Sequence, residues 1–89
     1  MNAVITVVGH DTKGIISKVS TKCANVGANI VEISQTVLNE YFAMIMIVDI
    51  STLTIPFASF IDTMTELGQK NGLVIHTMHE DIFNSMHRI

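Results

Sequence analysis

From Ala3 to Val8 the chain reads AVITVV, apolar and β-branched apart from Thr6, which predicts a strand buried on both faces and ending at Gly9. After the loop Gly9-His10-Asp11-Thr12-Lys13-Gly14, the residues Ile15, Ile16, Val19, Cys23 and Val26 recur at spacings of three and four. That period predicts a helix with one apolar stripe, capped by Asp11 or Thr12 and ended by a left-handed Gly27. Asn29 to Leu38 alternates Val31, Ile33 and Val37 with Glu32, Ser34 and Thr36, the pattern of a half-exposed strand. Asn39-Glu40 suits a two-residue turn. Tyr41 to Ile50 is apolar on both alternating sets and predicts a central strand. Pro56 marks a second helix start, with Phe57, Phe60, Ile61, Met64 and Leu67 inward and Asn71-Gly72 at its end. Leu73 to Met78 predicts a fourth strand. Ile82, Phe83, Met86 and Ile89 fall at helical spacing between Asp81 and the last residue.

The order is βαββαβ with a short C-terminal helix, an α+β, ferredoxin-like antiparallel sheet with two helices on one face. Strands one and three should be central, with strands two and four at the edges. Residues 1–80 are expected to form the domain and residues 81–89 an amphipathic helix. Two helices on one face leave the other face of strands one and three, including positions such as Val4, Val8, Ile45 and Ile47, in need of cover. Either the tail helix or a second copy must supply it, and a homodimer is the expected answer.

Composition narrows the possibilities further. With 89 residues, 48% apolar and 15% charged, the chain makes one small domain with a modest core and is far too apolar for disorder. Five Lys and Arg against eight Asp and Glu give no basic footprint for nucleic acid. The single cysteine cannot form an internal disulfide, no secretory leader pattern is present, and Tyr41 to Val48, the longest apolar run, is too short to span a bilayer. A cytoplasmic protein with no membrane contact is expected.

The chemistry concentrates in the first loop. Gly9 and Gly14 let backbone N–H groups approach a ligand closely, and the helix start beyond them offers unpaired donors with a positive partial charge, suited to a carboxylate. Asp11 can accept hydrogen bonds from an ammonium group, and Asn29 supplies both donor and acceptor. The same residues also fit a plain cap and turn, and spacing leaves both readings open. His10 beside Asp11 suggests a proton shuttle, yet no nucleophile with a matching base accompanies it. His76, His79 and Glu80 are metal-ligand types, but residues three apart on a strand point to opposite faces, so His76 and His79 do not share an ion on a regular strand, whereas His76 and Glu80 share a face and leave a metal or plain edge-strand polar residues as open readings. No catalytic or metal-binding set is assigned. Cys23 and the strand and helix methionines read as core, while Met86, Phe83 and Ile89 need a surface to dock on.

The segment AVITVVGHDTKGIISKVSTKCANVGANI resembles the opening of an ACT domain: a strand, a Gly-x-Asp-x-x-Gly-Ile loop, an amphipathic helix, then Gly-x-Asn-Ile. ISQTVLNEYFAMIMIV and IFNSMHRI are similar to the small stand-alone ACT proteins grouped as UPF0237, relatives of the ACT domains in glycine cleavage system transcriptional repressors and formyltetrahydrofolate deformylases. The resemblance implies a regulatory, non-enzymatic domain that dimerises and binds an amino acid or similar small metabolite, without a cofactor, and passes its occupancy to an effector protein. It maps the ligand loop onto Gly9, Asp11, Gly14 and Ile15, with His10 between them, and a second element onto Asn29 and Ile30. Lys13 stands where the family often has proline, which leaves the ligand's identity open. A ligand-free module that docks on an enzyme or regulator is the alternative.

Overall fold

The computed structural model describes residues 1–10 and 14–86. Four strands, β1 (Asn2–Gly9), β2 (Asn29–Leu38), β3 (Tyr41–Asp49) and β4 (Val74–His79), alternate with α1 (Ile15–Asn25), α2 (Phe57–Lys70) and a terminal α3 (Glu80–Met86). The sheet is antiparallel in the order β2-β3-β1-β4. As the double-sided apolar pattern requires, β1 and β3 are the central strands. Elements begin or end within about two residues of the sequence expectation, with β1 running through Gly9 and α3 starting at Glu80.

One sheet face carries the core. Ala3, Ile5 and Val7 of β1, Phe42, Met44, Met46 and Val48 of β3 and Ile75 of β4 meet Ile15, Val19 and Cys23 of α1 and Phe60 and Met64 of α2. Both long helices end on a glycine in the left-handed region, Gly27 at φ 79° and Gly72 at φ 67°. At Gly27 the Ala28 N–H reaches back to the Cys23 carbonyl (2.9 Å) and the Gly27 N–H to the Ala24 carbonyl (3.2 Å), the paired bonds of a Schellman stop. Asn39, at φ 58°, turns β2 into β3; asparagine is one of the few residues that adopts this region at little cost.

Two expectations are corrected. The first concerns β2, where a bulge between Ile30 and Glu32 breaks the alternation. Ile30 therefore joins Ile33 and Val37 on the helix side, and Val31 falls at the bulge. Moreover, all ten residues of β2 are exposed, because this outermost strand projects past the cover of α1 and α2. The second concerns the cap of α1. The helix starts from Gly14 at φ 70° with no side-chain cap, while Asp11 and Thr12 lie outside the described residues.

The second sheet face is half covered. α3 lies against β1 and β4, and the Asn2 Nδ2 donates to Glu80 Oε2 (3.1 Å) at its start. Val4, which faces away from the two long helices, is buried beneath it. Val8 and Ile45, farther along the same face, stay exposed.

Candidate functional site

The loop between β1 and α1 is held by glycines at both ends. Gly9 is buried and pairs with Phe42; a Cβ there would press on the Leu73 side chain, which would have to move aside to admit it. Gly14 takes a left-handed conformation, with only the Lys18 side chain near the place of a Cβ (3.8 Å), and aims its carbonyl along α1, where it accepts from the Lys18 N–H (2.9 Å). The Lys18 ammonium is held aside by Asn71 Oδ1 at 2.9 Å. No acidic residue lies in the first turn of α1. Among the described residues the positive end of this helix dipole is therefore neither capped nor neutralised.

His10 is exposed and leans on Tyr41, the two ring centroids lying 4.7 Å apart at 50°. This contact ties the loop to the β2–β3 hairpin. Sequence reasoning missed Tyr41, because only the antiparallel register brings the first residue of β3 beside the residue after β1. Ile15 is buried and anchors α1 in the core; it is a packing residue that fixes where the loop ends. Asp11, with Thr12 and Lys13, lies outside the described residues.

Asn29 and Ile30 are placed elsewhere. Asn29 pairs with Asp49 at one end of β3, whereas Gly9 pairs with Phe42 near the other. The two positions are seven residues apart along β3, a separation of about 23 Å at the usual rise per residue. Within one chain the two halves of the expected site do not meet. Asn29 belongs instead to a tight corner: its Nδ2 donates to Thr52 Oγ1 (3.3 Å), whose hydroxyl donates to the Gly27 carbonyl (2.8 Å). Asp49 braces the same corner by accepting the Ser51 N–H (2.8 Å), and that hydrogen bond, with the Ser51 side chain, holds its carboxyl below the usual range.

Among the described residues, neither the His76 and His79 pair nor Cys23 forms a site. His76 pairs with Thr6 on the outer face and His79 with Ala3 on the helix face, so the strand pleat separates them. His79 packs edge-on to Phe57 at 6.5 Å between ring centroids, and its Nδ1 accepts the Asp81 N–H at 3.1 Å. Among the described residues no three His, Cys, Asp or Glu side chains converge as metal ligands. Cys23 is buried, and loss of hydration pushes its thiol up to about 11, the reverse of an activated nucleophile. No described helix is long and apolar enough to cross a membrane.

Comparison with known proteins adds the following. The ACT domain family model matches residues 2–77. A UPF0237 protein of Clostridium perfringens is 53% identical over 89 residues, covering all of both chains. The solved structure of an ACT domain protein from Streptococcus pneumoniae superposes with a TM-score of 0.83 at 41% identity, over 98% of each chain. A formyltetrahydrofolate deformylase from Pseudomonas syringae shares the fold, with a TM-score of 0.78 at 22% identity over 86% of this chain and 26% of that one.

Proposed function

The chain belongs to the ACT domain family, among its UPF0237 members, and on that premise we propose that it is a regulatory module, not an enzyme, that binds an amino acid or similarly small metabolite between two copies of itself. The observation that carries this reading is the start of α1 at a left-handed Gly14, with no acidic residue in its first turn. A ligand carboxylate at that end takes up free N–H donors and meets the favourable end of the dipole. Asp11, in the same loop by sequence, accepts from the ligand's ammonium group.

A second copy supplies the other half. β2 is an edge strand exposed along its full length, with Ile30, Ile33 and Val37 overhanging the helix side. Two such edges pair antiparallel about a two-fold axis, closing a liability that exposed edges carry. Antiparallel pairing brings Asn29 of one copy beside Leu38 of the other, the end of the sheet at which Gly9 and Gly14 stand. The 23 Å offset along the strands is thereby removed, and the ligand has to bridge only the roughly 14 Å of three strand spacings between Asn29 of one copy and Gly9 of the other. Ligand that binds only the joined state favours it by mass action, which converts metabolite concentration into assembly for an effector to read.

Titration calorimetry with the amino acids, one by one, tests the reading. Asp11→Ala and Asn29→Ala should each abolish the heat. An equimolar mixture of the two variants should regain it, because each mixed pair holds one site with both halves intact. Failure of every amino acid to bind, or failure of the mixture to recover, overturns the proposal.

A further inference from the structure

The outer surface of the helix layer gathers positive charge. The chain carries a net charge of −3, yet the three lysines among the described residues, Lys18, Lys22 and Lys70, all lie along the seam between α1 and α2. Lys22, half-buried, and the exposed Lys70 line one groove of about 160 Å³, together with Thr63, Glu66 and Leu67. Lys18 stands one turn before Lys22 and is fixed to the other helix: its Nζ donates to Asn71 Oδ1 (2.9 Å), and Asn71 Nδ2 donates to the Leu67 carbonyl (2.8 Å). Like charges one turn apart on a helix repel, and neither Lys22 nor Lys70 is ion-paired among the described residues. Glu66 shares their groove without pairing to either.

We propose that this groove binds a small phosphate ester that carries an amino group. The two ammonium groups of Lys22 and Lys70 match the nearly two negative charges of a phosphate monoester at neutral pH. With the Thr63 hydroxyl they supply a donor for each of the ester's three terminal oxygens, in charge-assisted bonds. A carboxylate, with a single charge over two coplanar oxygens, matches this set less well in both charge and shape. The groove is smaller than the roughly 300–1,000 Å³ of a pocket for a drug-sized ligand, which suits one anionic group on a short chain.

The negative pole of α2, which would oppose an anion, is already satisfied. The Leu67 carbonyl accepts from Asn71 Nδ2, and the Gly68 carbonyl accepts from the Asn71 N–H (3.1 Å) and the Leu73 N–H (2.8 Å). Glu66 selects the rest of the ligand: its carboxylate repels a bare phosphate but accepts from an ammonium group held beside one. Lys22 lies eight residues beyond Gly14, about 12 Å along the helix axis. The groove is therefore separate from the first loop and requires neither its amino-acid ligand nor pairing at β2.

Nuclear magnetic resonance of the isotope-labelled full chain, titrated with phosphoethanolamine at pH 8 and constant ionic strength, tests it. Saturating shifts are expected at the amides of Lys22, Thr63 and Lys70. Lys22→Gln and Lys70→Gln should each raise the dissociation constant about tenfold, the size of one charge-assisted hydrogen bond. Inorganic phosphate should bind several-fold more weakly than phosphoethanolamine, and Glu66→Gln should reverse that order by tightening phosphate and loosening the ester. The general stabilisation that phosphate salts give acts alike on every variant and cannot produce such a reversal. Asp11→Ala should titrate as the wild type does, even where it abolishes amino-acid binding at the first loop. Absence of saturating shifts, lysine variants that bind as the wild type does, a Glu66→Gln variant that keeps the wild-type order, or loss of binding in Asp11→Ala overturns the proposal.

Discussion

Gly27→Ala tests the corner that sets Asn29 in place. Gly27 sits at φ 79°, and an added Cβ would collide with the Thr52 backbone carbonyl. A left-handed backbone at a residue other than glycine costs roughly 1–2 kcal/mol. The collision adds to this, because a backbone atom cannot rotate away as a side-chain tip can. Residues 50–54 must shift, straining the Thr52 hydroxyl bond to the Gly27 carbonyl (2.8 Å) and the Thr54 N–H bond to the Val26 carbonyl (2.8 Å). At about 1 kcal/mol for each bond, the total is about 3–4 kcal/mol, a large part of the margin expected for a chain of this size. The melting midpoint should fall by about 12 to 30 °C. Gly72→Ala is the control. Its φ is 67° but a Cβ there meets nothing within 4 Å, so it should cost only the backbone term of about 1–2 kcal/mol. Paired thermal melts by circular dichroism measure the difference. Equal losses in the two variants would refute the claim that the Thr52 contact, and not backbone conformation alone, requires glycine at position 27.

Further outcomes follow from the core. Cys23 should resist iodoacetamide in the folded protein at pH 8 and react once urea unfolds it; labelling at the rate of a free thiol would contradict its burial. Because its folded value is raised from 9.0 to about 11, the stability it contributes is complete below pH 9 and is lost as pH rises through about 11. Cys23→Ala should therefore flatten that part of the pH–stability curve, and an unchanged slope would count against the assignment. Thr77 is 8% exposed and its Oγ1 is buried without a hydrogen-bond partner. Thr77→Val removes that unsatisfied group at nearly constant shape and should stabilise by about 1 kcal/mol, seen as a melting midpoint about 4 to 8 °C higher; a lower midpoint would show that the hydroxyl is satisfied in solution.

Local chemistry was enough to determine the elements and their order. AVITVV and YFAMIMIV carry apolar residues on both alternating sets and can only be central strands, while Gly27, Asn39 and Gly72 stop or turn the chain by their own conformational freedom. The glycine-flanked loop at the head of α1 was legible for the same reason. The site residues did not converge as their sequence neighbourhoods suggested. Asn29 and Gly9 are joined by sequence pattern but separated by the register of β3, and register is a property of strand pairs, invisible in either strand alone. The bulge at Val31 likewise arises from pairing with β3 and shifts Ile30 to the helix side. His10 against Tyr41, and a half-covered outer sheet face, exist only once the sheet order places residues distant in the chain side by side. Periodicity acts over a few residues and can be read along the chain, whereas contact between elements depends on how whole surfaces pack, and that was decided by the folded sheet.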